Sequence, residues 1–258
     1  MRVSIITISL NNVNEIEQTV QSVIGQDYKD IEYIIIDGAS TDGTLDILNN
    51  FATFFSKLIS EPDKGIFDAI NKGIYAASGE IIGLVHAGDM LFNTGVISNI
   101  VKSFENSGAD IVYGNTVLVD PVSIDVVKRV CEGGNFIPER FLRGWMPSHS
   151  SVFIKKELFQ KYGYYRLDMN IAADYELLLR FMYKYRLKSY YYPGLVTIFR
   201  VGGISNRNLS SFLRSNIQCY KSWKLNDLKV PFYSIPLKVL RRIPDIIFRK
   251  RKLRKYLG

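Results

Sequence analysis

Runs of β-branched apolar residues alternate with helical spacings over the first hundred positions. Residues 3–8 (VSIITI) form an unbroken apolar run that predicts a buried strand. Residues 14–24 follow with Ile16, Val20, Val23 and Ile24 on one helical face. A second strand is expected at 31–36. Ser40, Thr41, Asp42 and Gly43 then supply turn and cap chemistry for a helix from 44 to about 55. Residues 57–60 predict a third strand, 66–77 a third helix with Gly79 just past its end, and 80–85 a fourth strand. Strand and helix joined by short links predict a parallel sheet covered by helices on both faces. Ligands of such sheets bind beyond the carboxyl ends of the strands, here Ser9 to Asn11, Asp37 and Gly38, residues 61–65, and residues 86–89. Acidic and polar groups converge there although a sheet end has no structural need for carboxylates.

The pattern shortens after Ala109. Strands are expected at 110–113, 116–119, 126–131 and 150–154, and a helix at 173–185 with Leu177, Leu178, Phe181 and Met182 at helical spacing. Two further apolar runs, 189–192 and 195–200, precede Gly202 and Gly203. The sequence holds no internal repeat, low-complexity stretch or Ser/Pro-rich linker. It therefore reads as one domain over 1–228, with halves 1–109 and 110–228, followed by a separate tail at 229–258.

Composition changes this picture in one place. The chain has 258 residues and a formal net charge of +8, long enough to bury a substantial core. Ten basic residues against Asp245 give the last 30 positions a net +9, so the preceding 228 sum to −1. The tail alternates apolar and basic residues, as in Val239-Leu240-Arg241-Arg242-Ile243, which suits an anionic membrane surface. Nucleic acid is the competing partner for such charge, but the acidic strand ends of a neutral body would repel phosphate. Cys131 and Cys219 lie 88 positions apart, a spacing for neither a zinc finger nor a disulfide framework. No window approaches the ~18 apolar residues of a spanning helix, and the opening residues read as a strand and not a signal peptide, so a cytoplasmic location is expected.

Several motifs stand in register. The stretch from Ile34, I-I-I-D-G-A-S-T-D-G-T-L-D-I, and that from Ser60, S-E-P-D-K-G-I-F-D-A-I-N-K-G-I, resemble the nucleotide-sugar half of family 2 glycosyltransferases. P-S-H-S-S-V-F from Pro147, A-A-D-Y-E-L-L-L-R from Ala172 and G-G-I-S from Gly202 resemble the subset that builds colanic acid and O-antigen repeats. The resemblance runs from about residue 3 to 205. It implies the GT-A α/β fold, a central mostly parallel sheet flanked by helices, here with a basic helical tail. It also implies an inverting hexosyl- or N-acetylhexosaminyltransferase that uses a UDP-sugar, with Mn²⁺ or Mg²⁺ as cofactor. The acceptor implied is a polyprenyl-diphosphate-linked saccharide, met peripherally at the inner face of a bacterial inner membrane, with no nucleic acid partner.

The resemblance also distributes roles. Asp89 takes the metal position, because a hard cation needs few protein oxygens when a diphosphate supplies the rest. Gly88 stands where the family often has a ribose-contacting acid. Asp37 would face the base, whose imide N–H a carboxylate can accept. The alternative is an acid that closes the Ser40 turn. Ser9 and Leu10 occupy the place of the family's Thr or Val and aromatic. Asp63 and Lys64 open the third helix, suited to ribose or phosphate. Asp174, at a helix start with Ala173 in place of the family's Glu, would take the acceptor's proton, ahead of Asp168. His149 and Trp145 would contact donor or acceptor. His86 is left without a role. Arg180, six positions past Asp174 and about 600° round the helix, falls to structure. A non-catalytic saccharide-binding relative remains the alternative to an enzyme.

Overall fold

The computed structural model describes residues 1–201, 209–230 and Tyr233. The G-G-I-S motif and nearly all of the basic tail lie outside the described residues. In chain order the elements are β1 (Val3–Ser9), α1 (Ile16–Ile24), β2 (Ile31–Asp37), α2 (Thr44–Asn50), β3 (Lys57–Ser60), α3 (Ile66–Ala76), β4 (Ile81–Leu84) and β5 (Met90–Leu91). There follow α4 (Val96–Ser107), β6 (Ile111–Val119), β7 (Val127–Cys131), β8 (Val152–Lys155), α5 (Glu157–Tyr162), α6 (Ala173–Leu178), β9 (Ser189–Arg200) and α7 (Leu209–Leu225).

Every residue of β1 is buried, as the unbroken apolar run requires. Alternation sends its side chains to two cores. Val3 and Ile5 join Tyr33, Ile35 and the Ile16, Val20 and Val23 stripe of α1. Ile6 and Ile8 join Ile34, Ile36 and the Phe67, Ile70 and Ile74 stripe of α3. Gly73 lets α3 settle on the sheet, for a Cβ there would lie 2.4 Å from Ile6 Cγ2.

The sheet runs β3-β2-β1-β4-β8-β6-β9-β5, with β7 on β6. Pairs β1–β2, β1–β4, β2–β3 and β6–β9 are parallel. Pairs β4–β8, β5–β9, β6–β7 and β6–β8 are antiparallel. The sheet is therefore mixed, which corrects the expectation of a mostly parallel one. Parallel neighbours need a long crossover; the helices α1, α2 and α3 supply it only in the first half, whereas the short link 120–126 folds β7 back as a hairpin.

Other differences are local. The helix expected to about 55 stops at Asn50 and continues as a 3₁₀ turn over Ala52–Phe54. The helix expected over 173–185 is α-helical to Leu178 and then widens into a π turn, Leu179–Lys184. Runs 110–113 and 116–119 are one strand, β6, and runs 189–192 and 195–200 are one strand, β9, the register shifting between Tyr113 and Thr116 where Gly114 and Gly194 interrupt the side chains. The pattern reading passes over α4, although Val96, Ile97, Ile100, Val101 and Phe104 share its buried face.

A buried carboxylate locks the amino end of this sheet. Glu32, 3% exposed, accepts hydrogen bonds from Ser4 Oγ, the Ser78 N–H and Oγ, and the Gly79 N–H. Burial opposes its charge, yet these donors from Ser4, Ser78 and Gly79 hold it at about 2, below the ordinary 4.5. A depressed acid stabilises the fold above its unfolded value and loses that effect as pH falls through the folded one. Glu32→Gln is therefore expected to cost about 3 kcal/mol at neutral pH in urea denaturation. The two proteins should converge as pH drops from 4.5 toward 2; a constant difference across that window would contradict the assignment.

Candidate active site

Beyond the carboxyl end of β4 opens a cavity of about 450 Å³. Gly88, Asp89, His149 and Asp174 line it, and the fold supplies Asn12, Glu15, His86, Phe199 and Arg200 beside them. Four residues singled out in the sequence thus line one cavity.

The loop after β4 presents Asp89. Gly88 adopts φ +93°, a left-handed conformation that glycine tolerates, and the Asp89 N–H closes a turn onto the His86 carbonyl at 2.9 Å. Thr19 on α1 fastens this loop twice, its hydroxyl donating to the Asp89 carbonyl (2.8 Å) and accepting from the Gly88 N–H (3.0 Å). From the other side, Arg200 Nε donates to the Gly88 carbonyl at 3.1 Å. Asp89 is 5% exposed, and its Oδ2 has no hydrogen-bond partner among the described residues. Burial pushes its carboxyl well above the ordinary 3.8, with Arg200 opposing. A buried carboxylate oxygen that no donor satisfies calls for a cation. The site fits a hard divalent ion on this count, held by one carboxylate and by ligand oxygens. Among the described residues no group of three His, Cys, Asp or Glu side chains is placed to enclose a metal.

Across the cavity stands Asp174, at the start of α6. Its Oδ1 accepts the Tyr175 N–H at 2.8 Å, and its Oδ2 lies 3.4 Å from His149 Nδ1. His149 heads the 3₁₀ turn His149–Ser151 before β8, edge-on to Phe199 and 5.9 Å in ring centroid from His86. Burial, then the nearby His149, hold His86 at about 3, so His86 is neutral at physiological pH. Helix α6 is tethered from afar: Gln218 Oε1 on α7 accepts the N–H groups of Ile171 and Ala172 at 3.0 Å, and Trp223 Nε1 donates to the Tyr175 hydroxyl at 3.0 Å. Asp168 is occupied by a two-point pair with Arg166. Arg180 pairs with Glu176 and donates to the Tyr162 and Tyr164 carbonyls, the structural role its helical angle indicated.

The remaining expected residues lie outside the cavity wall. In β1 and β2, Ser9 is in register with Asp37, and Asp37 with Ser60 of β3. Asp37 is fully buried and accepts hydrogen bonds from the Ser40 N–H (2.9 Å), Ser40 Oγ (2.5 Å) and Ser60 Oγ (2.7 Å). Its carboxylate closes the turn after β2. Ser9 Oγ is buried and has no partner among the described residues. Asp63 accepts the Gly65 N–H at 2.7 Å, and its Oδ2 sits where a Cβ on Gly38 would lie, 2.7 Å away. Lys64 is exposed at the start of α3. Trp145 is 7% exposed and packs on Tyr113 and Phe141, with the Arg140 guanidinium 4.0 Å above its ring. The residue that sequence reasoning missed is Arg200. A lone cation ending the apolar run 195–200 was its only signal.

Comparison with known proteins gives a consistent result. The family model described as Glycosyl transferase family 2 matches residues 4–163. An uncharacterized glycosyltransferase of Mycobacterium tuberculosis is 35% identical over 180 residues, 69% of this chain and 68% of its own. A PGL/p-HBAD biosynthesis glycosyltransferase of Mycobacterium bovis is 29% identical over 211 residues, covering 79% and 78%. Among solved structures, S. aureus TarS 1-349 in complex with UDP superposes with a TM-score of 0.63 at 15% identity, over 89% of this chain and 67% of that one. The chain spans 41% of the longer TarS chain. The mannosyltransferase PcManGT of Pyrobaculum calidifontis, in complex with GDP-Man and Mn²⁺, gives a TM-score of 0.60 at 20% identity, over 92% and 68%. At these identities the two structures speak for the fold alone.

Proposed function

The chain belongs to glycosyl transferase family 2 and is a glycosyltransferase, and from that premise we propose that it moves a sugar, with inversion, from a UDP-sugar to a lipid-linked saccharide in bacterial surface polysaccharide assembly. One observation carries the reading: the unsatisfied buried Oδ2 of Asp89 and the partly exposed Asp174 face one cavity.

Asp89 would hold Mn²⁺ or Mg²⁺ together with oxygens of the donor diphosphate. Such an ion, when bound, would supply positive charge to offset that of the departing diphosphate. Arg200, on the far side of the Gly88–Asp89 loop, adds a second positive charge there. Gly88, with no side chain, leaves room at the sugar-nucleotide end of the cavity. Ser9, Asp63 and Lys64 provide polar groups on the nucleotide side of the same sheet edge. Asp174 accepts the proton of the acceptor hydroxyl as that oxygen attacks the anomeric carbon opposite the leaving group. His149, 3.4 Å away, orients the carboxylate. A lipid-linked acceptor is supported by the relative named for PGL/p-HBAD biosynthesis and by the +9 charge of the last 30 residues, suited to the cytoplasmic leaflet of a bacterial membrane. No helix among the described residues is long and apolar enough to cross one.

UDP as the nucleotide is supported by the TarS complex, whereas the PcManGT complex favours GDP as a second reading. A nucleotide-release assay over UDP-, GDP- and dTDP-sugars, with and without Mn²⁺ and with membrane lipid extract as acceptor source, decides between them. Release of UDP that depends on the ion and the extract is expected. Release of GDP alone would replace the donor, and no release from any donor would return the chain to a saccharide-binding role.

A further inference from the structure

The helix that tethers the candidate base has an outer face of its own. On α7 the exposed described side chains are Leu213, Arg214, Ile217, Tyr220, Lys221 and Lys224. At 3.6 residues per turn they share an arc of about 120°. Leu213, Ile217 and Tyr220 are 54%, 67% and 42% exposed, large apolar side chains in one strip. Lys224 lies over the Tyr220 ring at 5.3 Å, and Arg214 and Lys221 flank the strip on one side. Asp227, beyond the helix end, pairs with Lys184 at 3.5 Å, and Asp168, held below its ordinary range first by Arg166 and in smaller part by Lys221, stands near the basic flank of the strip.

The opposite face of α7 is buried against the catalytic half. Cys219, Ser222, Trp223 and Asn226 turn inward, and at the border Gln218 holds the backbone of Ile171 and Ala172 and donates to Asn170 Oδ1 at 2.6 Å. Asn170 and Ile171 line the cavity that contains Asp174. Whatever covers the outer face therefore sits one helix diameter, about 10 Å, from the rim of the site.

We propose that this outer face of α7 docks on an anionic lipid surface and so sets the mouth of the cavity at the level of the headgroups. Three cations beside an apolar strip match a surface that is anionic outside and apolar just beneath. A second copy of the chain fits worse, because a two-fold contact sets the same patch against itself and opposes its cations. Nucleic acid would leave the Leu213, Ile217 and Tyr220 strip without a partner. The sequence that follows α7 carries the +9 of the last 30 residues, charge of the same sign. The inference deepens the lipid-linked acceptor reading but is tested without any sugar nucleotide, so a negative donor screen and a negative binding result remain distinguishable.

The full chain is sedimented with vesicles of phosphatidylglycerol and phosphatidylcholine in equal parts and with phosphatidylcholine alone. Binding to the anionic vesicles is expected. A variant with Arg214→Gln, Lys221→Gln and Lys224→Gln should bind them roughly a hundredfold more weakly, three cations each contributing about fivefold. Leu213→Ser, Ile217→Ser and Tyr220→Ser together should weaken binding at least tenfold, with an unchanged melting temperature certifying the fold. A truncation that removes 229–258 should bind less, yet remain sensitive to the same substitutions. Wild-type binding by both triple variants would overturn the proposal, as would a truncation whose residual binding ignores them. A dimeric wild type whose apolar variant is monomeric would assign the face to a second copy instead.

Discussion

Asp174→Asn is expected to bind nucleotide sugar and divalent ion as the wild type does and to transfer the sugar roughly 10²–10⁴-fold more slowly. The amide is isosteric and can still accept the Tyr175 N–H at the place of Oδ1. Gln218 and Trp223 hold the helix from outside the substituted side chain, so its position should persist. What the substitution removes is the charge and basicity of a carboxylate that lines the same cavity as Asp89. The measurement is kcat beside a calorimetric affinity for donor. Asp168→Asn, at a carboxylate engaged by Arg166, serves as the control and should leave kcat near wild type. Near-normal kcat in Asp174→Asn would remove this residue from the chemistry.

Asp89→Asn should separate stability from activity. Without added metal the wild type carries a buried carboxylate oxygen that no donor satisfies, a cost of about 1–3 kcal/mol. Burial already disfavours the charged form, and the amide would bring N–H groups with no acceptor to the same place, so without metal Asp89→Asn is expected to melt near the wild type. Mn²⁺ should raise the melting temperature of the wild type, because the ion binds only the folded state, and should leave that of Asp89→Asn unmoved. Transfer by the variant should fall at least ~10²-fold, the effect of losing charge stabilisation of the leaving group. An equal Mn²⁺ response in both proteins would place the ion elsewhere.

The first half of the fold was legible because β1, β2 and β4 are covered on both faces, with β3 as the partly exposed edge. Such strands read as unbroken apolar runs, and β1, β2, β3 and β4 lie within a residue or so of where those runs predict them. The sheet edge followed, since every βα link must emerge at the same end. Asp89 was found this way, as the acid that ends a β4 loop. Asp37 stands at that edge too, but its hydrogen-bond partners were not legible: they are Ser40 and Ser60, and the latter lies 23 positions on. The packing of Trp145 was hidden for a related reason. An aromatic between Gly144 and Met146 reads the same whether it stacks on sugar or on Phe141.

By itself the sequence determined the strand–helix alternation, the acids at the sheet edge and the concentration of charge in the tail, all properties of local periodicity and composition. Only the tertiary structure decided that the sheet is mixed, that His149 and Asp174 approach to 3.4 Å across 25 positions, that Arg200 closes on Gly88, and that one face of α7 is left outward. Those are pairings between distant segments. They are settled by which surfaces remain to be buried once the local elements have formed, and periodicity along the chain carries no record of that competition.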